Sequence, residues 1–72
     1  MTRGTVKFWK SDKGWGAISS PDLPPGKDAF AHFSDIVAEG FRELHPGDTV
    51  EFDLVERSQD SFDFVATNVR KL

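Results

Sequence analysis

The clearest pattern in the chain lies toward its end, where Val50, Phe52 and Leu54 alternate with Glu51, Asp53 and, past Val55, Glu56. Residues two apart share a face of a strand, so Thr49–Val55 reads as a strand with an apolar inner face and an acidic outer one. Gly4–Lys10 reads as a first strand, because Thr5, Val6, Phe8 and Trp9 are β-branched or aromatic and Lys7 and Lys10 interrupt the apolar run. A second strand runs from Trp15 through Ser19 or Ser20. Its alternation puts Trp15, Ala17 and Ser19 on one face and Gly16 and Ile18 on the other, with Ile18 inward and Gly16 open to close approach by another backbone. Ala29–Phe33 gives a third strand, with Phe30 and His32 opposite to Ala29 and Ala31, and it pairs naturally with the second so that Phe30 and His32 lie beside Trp15. Phe62–Val69 is the last, with Val65, Thr67 and Val69 toward the core. Phe62 and Phe64 have the opposite parity, which leaves an extended ring surface, a protein contact and a packed hairpin end as equal readings.

The segments between these runs carry turn chemistry. Ser11-Asp12-Lys13-Gly14 is a turn in which Ser and Asp bond back to local backbone and Gly14 accepts positive φ. Pro21–Asp28 holds three of the four prolines and reads as a stiff loop. Ser34–Ala38 suits a single helical turn capped by Ser34 with Ile36 tucked inward. Glu39–Asp48 is a connecting loop ending in a Pro-Gly turn, and Arg57–Ser61 is a polar turn. Five short strands without a long helix predict an all-β fold, a small five-stranded antiparallel β-barrel, in which closure removes exposed strand edges.

Seventy-two residues make a single domain over 1–72, without internal repeats, and a chain of this size hides only about 60% of its unfolded surface. There is no cysteine, which excludes disulfides and thiolate metal sites. Met1–Thr5 lacks the apolar run of a signal peptide and no stretch has the roughly 20 apolar residues of a membrane span, so a cytoplasmic protein is expected. The net charge of -3 argues against a nucleic-acid binder until its distribution is considered. Residues 1–20 carry Arg3, Lys7, Lys10 and Lys13 against Asp12 alone, whereas residues 21–72 carry five basic and eleven acidic side chains. A basic front and an acidic back orient a polyanion as well as attract it.

The basic excess coincides with Lys7–Ile18, where three lysines interleave with the rings of Phe8, Trp9 and Trp15. Rings on an open strand surface stack on nucleobases and lysines meet phosphates. Aromatics in a small β domain more often belong to the core, by about two to one for any single ring. Parity opposes that reading, since Trp15, Phe30 and His32 lie opposite to Ile18, Ala29 and Ala31.

These residues also carry a family resemblance. Lys13-Gly14-Trp15-Gly16-Ala17-Ile18 resembles the first ribonucleoprotein motif of the cold-shock domain, K-G-F-G-F-I, and Ala29-Phe30-Ala31-His32-Phe33 resembles its second, V-F-V-H-F. The likeness spans Gly4 to Val69. It implies an oligonucleotide-binding (OB) barrel, with ligand contacts at Lys7, Phe8, Lys10, Lys13, Trp15, Phe30, His32, Phe33 and Phe41 and with Trp9 beside them. Phe33 matches the parity of Ala31 and is core unless the strand ends there; Phe41 is either a flap over a base or a satellite core contact. The chain departs from the pattern in the order Phe8-Trp9, in Trp15, in Lys10 and, above all, in Ala17, which replaces the central phenylalanine of the first motif. With base stacking at about 1–3 kcal/mol, a lost ring weakens binding roughly tenfold to a hundredfold. On that basis Ala17→Phe is expected to tighten binding.

The resemblance implies a monomeric binder of pyrimidine-rich single-stranded RNA or DNA that acts as an RNA chaperone or a regulator of transcription or translation. A second reading is a barrel-shaped protein-interaction module that docks a peptide on the rings. Enzymatic readings lack support. His32 and His45 have no cysteine partners for zinc, and Ser34-Asp35 beside His32 lies too close in sequence for triad geometry. No metal, cofactor or membrane partner is expected.

Overall fold

The computed structural model describes residues 1–37 and 43–72. Strands β1 (Thr2–Lys10), β2 (Trp15–Ser19), β3 (Ala29–His32), β4 (Thr49–Gln59) and β5 (Phe62–Lys71) close into a barrel in the order β1-β2-β3-β5-β4. Every seam is antiparallel except β3 with β5, which is parallel over Ala29–Phe64 and Phe30–Val65. An odd number of strands imposes this: directions that alternate around a closed ring of five must meet a like neighbour once. Among the described residues no helix is long and apolar enough to cross a membrane.

The interior is built from Val6, Ile18, Ala29, Ala31, Ile36, Val50, Phe52, Ala66 and Val69. Val50 and Phe52 point inward and Leu54 packs against them, as the alternation in β4 requires. Two loop residues complete the core. Leu23, from the proline-rich loop, and Leu44 are both buried there, and neither is signalled by strand periodicity.

The expectation for β5 is corrected in part. Ala66 lies in the core and Phe64 packs on it, so Val65 and Thr67 face away. Val69 nevertheless points inward, because the register slips between the Asp53–Thr67 and Glu51–Arg70 pairs. Asn68 sits in that slip with φ 50°, and its amide donates to Asp53 Oδ2 at 2.9 Å. A bulge reverses the parity of all that follows it, and simple alternation cannot foresee it.

The helical turn is also shifted. It is a single 3-10 turn over Phe33–Asp35, and its cap is His32 rather than Ser34, with Ile36 buried as expected.

Candidate nucleic-acid interface

Parity around the barrel creates a second apolar layer on its outside. Phe30 is buried although Ala29 and Ala31 on either side belong to the core, so its ring points away from the interior. The same holds for Val65 between Phe64 and Ala66, and for Ala17 between Gly16 and Ile18. These positions are neighbours in the sheet, with Ala17 paired to Phe30, Phe30 to Val65, and Phe8 to Ala17. Phe30 and Ala17 thus lie on the face that alternation assigns them, but they form its covered floor and are not exposed.

The rings that cover this floor come from three strands. Trp15 stacks on Phe30 with centroids 5.4 Å apart and planes 25° from parallel. Phe8 stands nearly upright against Trp15 at 5.8 Å and 75°, and Phe62 does the same at 6.1 Å and 78°. Phe62 also meets Phe30 at 5.7 Å. Lys10 Nζ lies 5.1 Å from the Trp15 centroid and 5.9 Å from that of Phe8, so the cation borders the ring faces.

A register slip in β1 sets which aromatic faces out. Val6 pairs with Ile18 and Phe8 with Ala17, which makes Lys7 the extra residue. Val6 points inward before the slip and Trp9 after it, leaving Lys7, Phe8 and Lys10 outside. The turn preceding β4 holds this point: the Val6 amide donates to the Asp48 carbonyl at 2.9 Å and the Gly47 amide to the Val6 carbonyl at 2.8 Å. Trp9 is therefore corrected from a position beside the rings to one packed on the core. Its indole lies so close to Gly16 that a Cβ there would overlap it and the Phe8 carbonyl, which is why β2 needs glycine at this position.

The cations divide between two sides. Arg3 pairs with Glu51 of the acidic β4 at 3.3 Å, away from the rings. Lys7 reaches Asp28 at 3.1 Å across the outer face. Lys10 and Lys13 form no ion pair among the described residues, and Lys13 sits in the turn whose Gly14 has φ 74°.

His32 is half-buried at the end of β3. Its Nδ1 accepts the Ser34 amide at 3.3 Å and lies 2.8 Å from Ser34 Oγ. Accepting an amide proton at Nδ1 leaves the neutral ring's own proton on Nε2, where it can donate to a ligand. Phe33 follows at 4.6 Å between ring centroids and is 45% exposed, because the strand ends at His32 and parity no longer applies. Its ring closes on Gly14, and its amide donates to the Gly14 carbonyl at 2.8 Å, which ties the end of β3 to the lysine-bearing turn. Phe41 lies outside the described residues.

The structure thus brings together Lys10, Phe8, Trp15 and Phe30, with Phe62 as a member that sequence reading left unassigned. Its aromatic character and open parity were the only signals available. Asp48, behind the site, has its carboxyl held below the ordinary range, chiefly by the His45 amide it accepts and further by Lys71 at 3.4 Å, against the opposing effect of burial.

Comparison with known proteins agrees with the geometry. The family model described as 'Cold-shock' DNA-binding domain matches residues 2–72. A cold shock-like protein of Aquifex aeolicus is 49% identical, over 97% of this chain and 93% of that protein. The major cold shock protein of Streptococcus pyogenes is 42% identical, over all of this chain and 98% of its own length.

Proposed function

Since the chain belongs to the cold-shock domain family, we propose that it binds single-stranded RNA or DNA on the outer ring layer of its barrel. The observation that carries this is the Trp15–Phe30 stack, which keeps a broad indole outside the core beside Lys10. Bases of an unpaired strand stack on Trp15, Phe8 and Phe33, for about 1–3 kcal/mol each, while Lys7, Lys10 and Lys13 meet its phosphates. His32 donates from Nε2 to a base carbonyl. A duplex keeps its bases stacked on one another and offers none to the rings.

Every base has a π-face, so sequence preference is weak; pyrimidines are favoured because they give up less stacking with their neighbours. Bases held on the protein are withheld from pairing, which opens RNA hairpins. That is the action of an RNA chaperone, or of a regulator of transcription or translation, working as a cytoplasmic monomer and without catalysis.

Calorimetric titration with DNA and RNA strands of one pyrimidine-rich sequence, and with their duplexes, tests this. Saturable binding of the single strands well above the duplexes is expected. Equal affinity for the duplexes rejects the reading, and no binding of any strand leaves the rings to a peptide partner.

A further inference from the structure

Phe62 occupies a place in the ring layer that regular strand geometry does not explain. Phe62 and Phe64 are two apart in β5 and would share a face on a regular strand, yet Phe64 packs on the core and Phe62 meets Trp15 and Phe30. The hairpin explains the difference. Register slips between the Glu56–Phe64 and Gln59–Phe62 pairs, and such an irregularity bends and twists the strands beyond it. The hairpin end is thereby turned toward the rings.

The neighbouring seam matters as well. β3 and β5 pair only at Ala29–Phe64 and Phe30–Val65, so Phe62 lies beyond the paired part of the seam. Its ring spans from β5 to Phe30 and Trp15 there, and it stays only half-buried. Trp15 is consequently bracketed by two upright rings, Phe8 from β1 and Phe62 from β5. Asp63, the carboxylate next to Phe62, is engaged by Lys27 of the proline-rich loop, which offsets its repulsion of an approaching phosphate.

We infer that Phe62 is a further base-stacking position, which carries the site across the β3–β5 seam onto the hairpin and takes one more nucleotide than the rings of β1–β3 hold. The inference rests on the single-strand reading above. A strand crossing Trp15 from the Phe8 side leaves it at Phe62, and the next base stacks there.

The test is an affinity series with oligothymidylates lengthened one nucleotide at a time, for the unaltered protein, Phe62→Leu and Phe62→Trp, with thermal melts of each. Leucine keeps apolar bulk against Trp15 but has no π-face. Phe62→Leu should weaken strands long enough to reach the hairpin about tenfold more than shorter ones, and Phe62→Trp should enlarge the gain from the last nucleotide. Equal weakening at every length would make Phe62 a prop for Trp15, and no change at any length would make it a bystander; either overturns the inference. Should Phe62→Leu not fold, Phe62→Trp decides: a larger last increment supports the inference and an unchanged one overturns it. Failure of the unaltered protein to bind any length is a different result, which removes the underlying reading and this inference with it.

Discussion

Trp15 lies face to face with Phe30, 5.4 Å between centroids, so the layer outside the barrel has a buried ring beneath and a half-exposed one above. The arrangement separates two roles that parity alone merges. Phe30 holds the layer in place, and Trp15 meets what comes from solvent.

Trp15→Ala should therefore weaken single-strand affinity by about tenfold or more while costing less stability than loss of the ring beneath it. Phe30→Ala should lower both, with a stability loss of about 3 kcal/mol from removal of a buried ring. Denaturant unfolding and oligonucleotide titration of both variants give the comparison, and equal stability losses would contradict the layered arrangement.

Ala17 is fully buried under this layer, paired between Phe8 and Phe30. A phenylalanine there has no free space and should displace the rings around it, at a cost of about 1–3 kcal/mol for overpacking. The tighter binding expected from the sequence should accordingly appear only when room is made. Ala17→Phe combined with Trp15→Phe should bind more tightly than the two single variants predict together, by a coupling of about 1 kcal/mol in a double-mutant cycle. Additive effects would mean that the two positions do not share space.

Much of this was legible in the chain. The alternation in Thr49–Val55, the glycine at position 16 and the opposite parities of Phe30 and Ala31 follow from a period of two and sterics. What escaped was set by single-residue slips. The extra residue at Lys7 exchanges the faces of Phe8 and Trp9, the slip at Asn68 lets Val65 and Thr67 face away while Val69 stays in the core as expected, and the slip near Gln59 brings Phe62 to the rings. A bulge depends on backbone pairing with a partner strand, and neither partner nor register is written locally. Leu23 and Leu44 escaped for a related reason, since an isolated leucine in a loop has no period.

Salt dependence should report how many cations meet phosphate. Three lysines at about 0.7 each give a log–log slope near -2 for single strands. Lys13→Ala should reduce the slope by about 0.7, whereas Arg3→Ala, on the Glu51 side, should leave it unchanged. A slope steeper than about -5 would mean that electrostatics, not stacking, carries the complex.

Acid should loosen the turn that holds the β1 slip. The Asp48 carboxyl is held below its ordinary value of 3.8, chiefly by the His45 amide and also by Lys71. A carboxyl lowered on folding contributes stability that is complete above 3.8 and fades as pH falls through the lower, folded value. Asp48→Ala should cost on the order of 1 kcal/mol at neutral pH, with the gap to the unaltered protein narrowing in that acid window. A gap independent of pH would show that the charge contributes nothing.

The most direct measurement is the fluorescence of Trp9→Phe, in which Trp15 is the one remaining indole and the substituted ring lies against the core. A base stacked on Trp15 should quench its emission saturably with a pyrimidine-rich single strand, and hardly at all with the matching duplex, at the affinity of the unaltered protein. Emission that stays unchanged while the strand binds would place the bases elsewhere and contradict the role given to the ring layer.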